Sequence, residues 1–167
     1  MKDMTLKNLL DAFAGESQAH VKYALFADLA EREKLPNVAR LFRAASYSEQ
    51  IHAMNHLRAL GVGKTLANLE AALSGETYEI TTMYPEFIGI AEQEDEKRAR
   101  GSMEDAMAAE KVHAQFCTQA REAVANGQDV ALPKVWVCSV CGYTMEGDEP
   151  PDNCPICNAL KKLFREF

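Results

Sequence analysis

The sequence predicts an all-α protein: a bundle of four long helices followed by a small C-terminal domain built around a metal. Three observations predict it. Over the first 125 residues apolar side chains recur three and four apart, with few glycines and only Pro36 and Pro85 as interruptions. Each of the four stripes is broken near its middle by glutamate, or by glutamate and histidine. Composition then shifts after Asn126-Gly127, and residues 135–167 hold four of the five cysteines.

The first helix is expected over residues 5–32, with Leu6, Leu9, Leu10, Phe13, Glu16, His20, Tyr23, Ala24 and Ala27 on one face. Pro36 suits the first turn of a second helix, because the N–H it lacks has no partner there. That helix covers residues 37–60, with Val38, Leu41, Phe42, Ala45, Glu49, His52, His56 and Leu60 in its stripe, and stops at Gly61 and Gly63. An ill-defined segment follows, with a turn of helix expected at 66–73. The third helix takes Ser74 as its cap and runs to 93, carrying Glu76, Glu79, Ile80, Met83, Phe87 and Ile90. Pro85 lies inside it and predicts a kink or a local break. The fourth helix spans 95–125, with Ala99, Met103, Ala106, Glu110, His113, Cys117, Ala120 and Val124 on one face; Gly101 weakens it slightly.

Residues 1–126 therefore read as one helical domain, and 127–134 (GQDVALPK) as a linker. Residues 135–167 form a domain too short to fold on apolar burial alone, so it needs a metal.

The polar interruptions form a pattern. Glu16 precedes Glu49 by 33 residues, and Glu76 precedes Glu110 by 34. Each downstream glutamate opens a Glu-x-x-His pair, Glu49 with His52 and Glu110 with His113. The chain thus reads as two copies of one helical hairpin. Spacing of i, i+3 places a carboxylate and an imidazole on one helix face, so both can reach one metal pair. Glu79 adds a fifth carboxylate. Five carboxylates buried without cations would each cost several kcal/mol, and two divalent ions nearly cancel their charge. Mixed carboxylate and imidazole ligation suits iron or manganese.

The tail, WVCSVCGYTMEGDEPPDNCPICNALKKLF, contains Cys138-x-x-Cys141 and Cys154-x-x-Cys157. Two such pairs make a tetrahedral thiolate cage, which by geometry alone accepts zinc or a single iron. Trp136, Tyr143 and Phe164 bracket it. They serve either as a lid that shields a redox iron from water or as the core of a zinc module.

Composition excludes several classes. A net charge of −7 argues against nucleic acid and against an anionic membrane surface. The N-terminal apolar run is broken by Lys7, Asn8 and Asp11, so it makes a poor signal peptide. No stretch approaches the length of a membrane span. The expected compartment is the cytoplasm, where thiols stay reduced and cysteines bind metals or do redox work.

Taken together, FAGESQA at 13–19, EQIH at 49–52, GETYE at 75–79, MYPEF at 83–87, EKVH at 110–113, WVCSVCGY and NCPIC resemble the rubrerythrin family. The resemblance covers nearly the whole chain, with its motifs in the same order. It implies a ferritin-like four-helix bundle holding two non-haem irons, followed by a rubredoxin-like domain with one iron on four cysteines. Its implied di-iron ligands are Glu16, Glu49, His52, Glu76, Glu79, Glu110 and His113, with His52, Glu49, Glu79 and Glu110 in the catalytic role. One iron of the family's pair moves between the positions matching His52 and Glu79 as oxidation state changes. The third iron falls to Cys138, Cys141, Cys154 and Cys157.

The activity so implied is reduction of hydrogen peroxide to water. Electrons would enter through the rubredoxin-type iron from a reductase linked to NAD(P)H, or from a rubredoxin. The family's head-to-tail homodimers imply that a tail serves the neighbouring copy's bundle. Ferroxidase or iron-binding work without peroxide turnover is the alternative; Glu79 and the cysteine tail argue against it, since a storage cage needs neither. A non-catalytic adaptor with a zinc ribbon is a third reading. His20 stands where the family often has a basic residue. It and His56 read as packed histidines or supports of ligands, and Cys117 as an apolar filler. Tyr23 and Tyr84 match family aromatics, either hydrogen-bonded near the irons or simply packed in the core.

Overall fold

A computed structural model describes residues Met1–Phe167. It divides into two compact units, Met1–Val62 and Gly63–Phe167. The expected helices and the small strand-containing cysteine domain are all present.

The first unit is a helical hairpin of α1 (Asp3–Arg32) and α2 (Pro36–Leu60). Asp3 in the first turn and Arg32 in the last complement the helix dipole of α1. Pro36 begins α2, and Gly61, with φ of 109°, ends it in a conformation that side chains disfavour. Only small side chains are fully buried between the two helices: Ala27, Ala30, Ala39, Ser46 and Ala53. His20 and Ser46 pin the helices together. The ring N–H at His20 Nδ1 lies 2.9 Å from both the carbonyl and the hydroxyl oxygen of Ser46, and that hydroxyl donates to the His20 carbonyl at 2.9 Å. Tyr23, Phe26 and Phe42 stack nearby, with ring centroids 5.5 to 6.1 Å apart.

The second unit begins with α3 (Thr65–Tyr78), a π-helical turn (Glu79–Met83) and α4 (Tyr84–Gln93), which run on without a break and return as α5 (Lys97–Ala125). The helix starts at Thr65 rather than at Ser74. Leu66, Ala67, Leu69, Glu70, Ala71, Ala72 and Leu73 are good helix formers, and a single interior glycine, Gly75, costs only about 1 kcal/mol. The interruption expected at Pro85 takes the form of the π-turn just before it.

The two hairpin turns are copies of each other. Leu35 N–H donates to Ala30 O and Glu96 N–H to Ala91 O, both at 2.9 Å. Glu33 N–H donates to Leu29 O and Glu94 N–H to Ile90 O, both at 3.0 Å. Lys34 and Asp95, at equivalent positions, both have positive φ, 62° and 55°. These are left-handed helix ends that satisfy the last carbonyls. Ala30 and Ala91 are buried alike beneath the turns. The one-residue difference in the Glu-to-Glu spacing lies between Glu76 and Ala91, where the π-turn absorbs one inserted residue.

Beyond α5 the chain forms an antiparallel sheet of β1 (Val135–Cys138), β2 (Thr144–Glu146) and β3 (Phe164–Glu166), in the order β2-β1-β3. Cys138, Cys154 and Phe164 are its buried centre, with Trp136, Tyr143 and Met145 packed against them.

Candidate metal centre

Each hairpin gathers three of the expected ligands. In the first, α1 supplies Glu16 and α2 supplies Glu49 and His52; in the second, α3 supplies Glu76 and α5 supplies Glu110 and His113. Within each group the ligand atoms lie within 4.8 Å of one another. The geometry repeats closely. His52 Nδ1 is 2.9 Å from Glu49 Oε2 and 3.9 Å from Glu16 Oε1. His113 Nδ1 is 2.6 Å from Glu110 Oε2 and 3.9 Å from Glu76 Oε2. Glu79 belongs to neither group of three, but it is close enough for the charges of Glu110 and His113 to act on it.

The second hairpin holds a carboxylate cluster whose charge a cation would balance. Glu76 Oε2 is buried without a hydrogen-bond partner. Burial, followed by the close approach of Glu110 and the charges of Glu110 and Glu79, lifts the Glu76 carboxyl to about 7. Burial and the Glu110 charge raise Glu79 as well, against the opposing pull of His113. The Tyr84 hydroxyl is raised by burial and then by the charges of Glu110, Glu79 and Glu76, so it keeps its proton. Carboxylates crowded in this way repel one another, and a cation among them relieves the repulsion. The donor set is all oxygen and imidazole nitrogen, which fits iron.

Four thiols converge in the small domain. Cys138 Sγ lies 3.6 Å from Cys157 Sγ, and Cys141 Sγ lies 3.6 Å from Cys154 Sγ. A disulfide would need about 2.05 Å. A tetrahedral ion with metal–sulfur bonds of about 2.3 Å sets its sulfurs about 3.8 Å apart, so the cage fits such an ion. Two matching knuckles build it. Gly142 N–H donates to Cys138 O and Asn158 N–H to Cys154 O, both at 2.9 Å; Cys138 N–H donates to Tyr143 O and Cys154 N–H to Ala159 O. Burial pushes the Cys138 thiol up, but backbone N–H groups of Cys141 and Val140, together with the thiols of Cys157 and Cys141, outweigh it and bring Cys138 below its ordinary value. Burial raises Cys141 and Cys157.

His20 is taken up by Ser46, as a packed histidine. Cys117 is partly buried, and its thiol is raised by burial and by Glu76. One residue escaped the sequence reading. Thr144, at the start of β2, is buried, and its hydroxyl lies 2.8 Å from His113 Nε2. The cysteine domain therefore touches a candidate ligand of its own chain, where the head-to-tail expectation sends it to a neighbour. Nothing in the spacing of a lone threonine signals this contact, which joins segments 31 residues apart.

Comparison with known proteins agrees with this geometry. The family model described as rubrerythrin matches residues 7–120, and that of the rubrerythrin rubredoxin-like domain matches 136–165. Rubrerythrin-2 of Clostridium acetobutylicum is 37% identical, over 98% of this chain and 97% of its own. Nigerythrin of Nitratidesulfovibrio vulgaris is 35% identical, over 98% and 86%. Among solved structures, nigerythrin in its mixed-valence state matches with a TM-score of 0.53 at 34% identity, over 98% of this chain and 86% of that one. The partially reduced state matches with a TM-score of 0.56 at 33% identity, over the same shares.

Proposed function

Because the chain belongs to the rubrerythrin family, with Glu/His ligand sets in its helices and a four-cysteine rubredoxin-like domain, we propose that it is a non-haem di-iron peroxidase that reduces hydrogen peroxide to water. Members of this family are oxidoreductases, and the ligand sets here are those for two non-haem irons and one four-cysteine iron. The seven side chains proposed to hold the iron pair are Glu16, Glu49, His52, Glu76, Glu79, Glu110 and His113. Glu49 and Glu110, which open the two Glu-x-x-His pairs, would be the central carboxylates holding the iron pair. Cys138, Cys141, Cys154 and Cys157 hold the third iron.

When bound, the iron pair supplies two electrons to the O–O bond of hydrogen peroxide, and the four-cysteine iron admits replacements singly from a rubredoxin or an NAD(P)H-linked reductase. The chain's own groups set the conditions for this. Glu79 offers one more carboxylate than the duplicated hairpins require, on a π-turn that departs from regular helix. Tyr84 holds a proton at its hydroxyl beside the carboxylates. Reduction of one peroxide to two waters takes up two protons, and a retained phenolic proton would let Tyr84 donate a hydrogen bond to an oxygen of the substrate.

The observation that carries this reading is the repeated group of three, one carboxylate 3.9 Å from a histidine Nδ1 in each hairpin. A homodimer is part of it. On the first hairpin Leu25 and Leu41 are 57% and 65% exposed, and no helical side chain larger than alanine or serine is fully buried. The proposed four-helix bundle and its dimer would cover this apolar surface. No helix is long and apolar enough to cross a membrane. Five unpaired thiols suit a reducing compartment, here the cytoplasm.

Anaerobic titration of the fully ferrous protein with hydrogen peroxide tests the proposal. The expected result is oxidation of the iron pair by one peroxide per pair, with turnover on adding a reductase and NAD(P)H. Rapid reaction with dioxygen and none with peroxide would favour a ferroxidase.

A further inference from the structure

Thr144 is one of two buried polar side chains in the protein, at 5% exposure, and its hydroxyl occupies a defined place. It donates to the carbonyl of Gly142 at 3.0 Å and lies 2.8 Å from His113 Nε2. A hydroxyl has one proton. With that proton on the Gly142 carbonyl, the oxygen presents a lone pair to the imidazole. His113 must then carry a proton on Nε2 and donate it. The other ring nitrogen, Nδ1, faces Glu110 Oε2 at 2.6 Å and Glu76 Oε2 at 3.9 Å. That is the side a cation would occupy, displacing whatever proton Nδ1 carries.

We infer that Thr144 is a positioning residue for the metal site: its hydroxyl fixes the ring orientation and the Nε2–H tautomer of His113, so that the Nδ1 lone pair points into the carboxylate cluster. The inference rests on the di-iron reading above. Metal-bound histidines generally donate their second ring N–H to an oxygen, which fixes the tautomer and raises ligand basicity. Here the oxygen comes from the other domain of the same chain. Thr144 follows Cys141 and Gly142 in the first cysteine knuckle, so the loop that shapes the thiolate cage also holds a ligand of the helical site. The two hairpins differ in this respect. His52 makes no hydrogen bond through Nε2, and its side chain is 51% exposed against 34% for His113.

Full-length Thr144→Val and Thr144→Ser test this, with two readouts besides catalysis. One is the ring N–H signal of His113 in the zinc-loaded protein, followed by heteronuclear NMR during exchange with water. The other is the anaerobic affinity for ferrous iron. Valine keeps the shape and removes the hydroxyl. It should abolish protection of the ring N–H and weaken ferrous binding about tenfold or more, while the visible band of the four-cysteine iron shows the small domain intact. Serine should restore both properties. Unchanged protection and affinity in Thr144→Val, or a serine variant as impaired as valine, would overturn the inference. Failure of the unaltered chain to bind metal at the carboxylate–histidine groups would overturn the di-iron reading and this inference with it.

Discussion

The backbone N–H of Tyr84 donates to the carbonyl of Glu79, five residues back. That bond marks a π-turn, and it places the one candidate ligand without a counterpart in the first hairpin on the one π-helical stretch in the chain. Pro85 follows directly and has no N–H to pair with Thr81, which favours the wider turn. Glu79→Ala should therefore separate binding from turnover. Iron content, measured by metal analysis, should stay within about a third of normal, because the two groups of three remain. Peroxide turnover should fall at least about tenfold. Equal turnover would remove the reason for preferring peroxidase to storage.

Cys138 sits at the buried centre of the cysteine domain, and backbone N–H groups of Cys141 and Val140 favour its ionised form. Cys138→Ser should erase the visible absorption of the four-cysteine iron. It should also stop steady-state peroxide reduction with an external donor. The ferrous iron pair should still consume one peroxide in a single-turnover experiment. Survival of donor-driven turnover would mean that electrons enter elsewhere.

Protonation of Glu76 gives a pH signature. Burial, the close approach of Glu110 and neighbouring charge raise it from 4.5 to about 7. A carboxyl raised in the folded state stabilises that state below its ordinary value, and the contribution is lost as pH rises through about 7. Urea midpoints of the metal-free chain should thus fall between about pH 5 and pH 8. Glu76→Gln should flatten that dependence. Iron requires the ionised carboxylate, so the affinity of the loaded chain should run the other way and weaken below about pH 7.

Ser46 offers a test of structure without chemistry. Its buried hydroxyl serves the His20 carbonyl and ring, tying α1 to α2. Ser46→Ala should cost about 1–3 kcal/mol in denaturant unfolding, because the His20 carbonyl loses its side-chain donor. Iron content should not change. A matching loss of iron would place His20 in the metal site.

Much of this organisation was legible in the chain, because periodicity and ligand spacing are local. The two hairpins, their Glu and Glu-x-x-His sets and the cysteine pairs all follow from residues a few turns apart. The spacings of 33 and 34 were equally visible, yet their difference became meaningful only with the π-turn between Glu76 and Ala91. The start of α3 is hidden in the sequence because Ser74 and Gly75 look like a boundary, while the helix-forming residues before them outweigh that signal. The tie between His113 and Thr144 was illegible for a different reason. It depends on how a folded knuckle meets a helix, and no local pattern encodes that meeting.

The most direct measurement is a crystal structure of the iron-loaded protein, with data collected at the iron absorption edge. Two anomalous peaks about 3.5–4 Å apart, both in contact with Glu49 and Glu110 and ringed by the other carboxylates and histidines, are the predicted result. Glutamates turned to solvent, with no iron shared between the two Glu-x-x-His pairs, would contradict it.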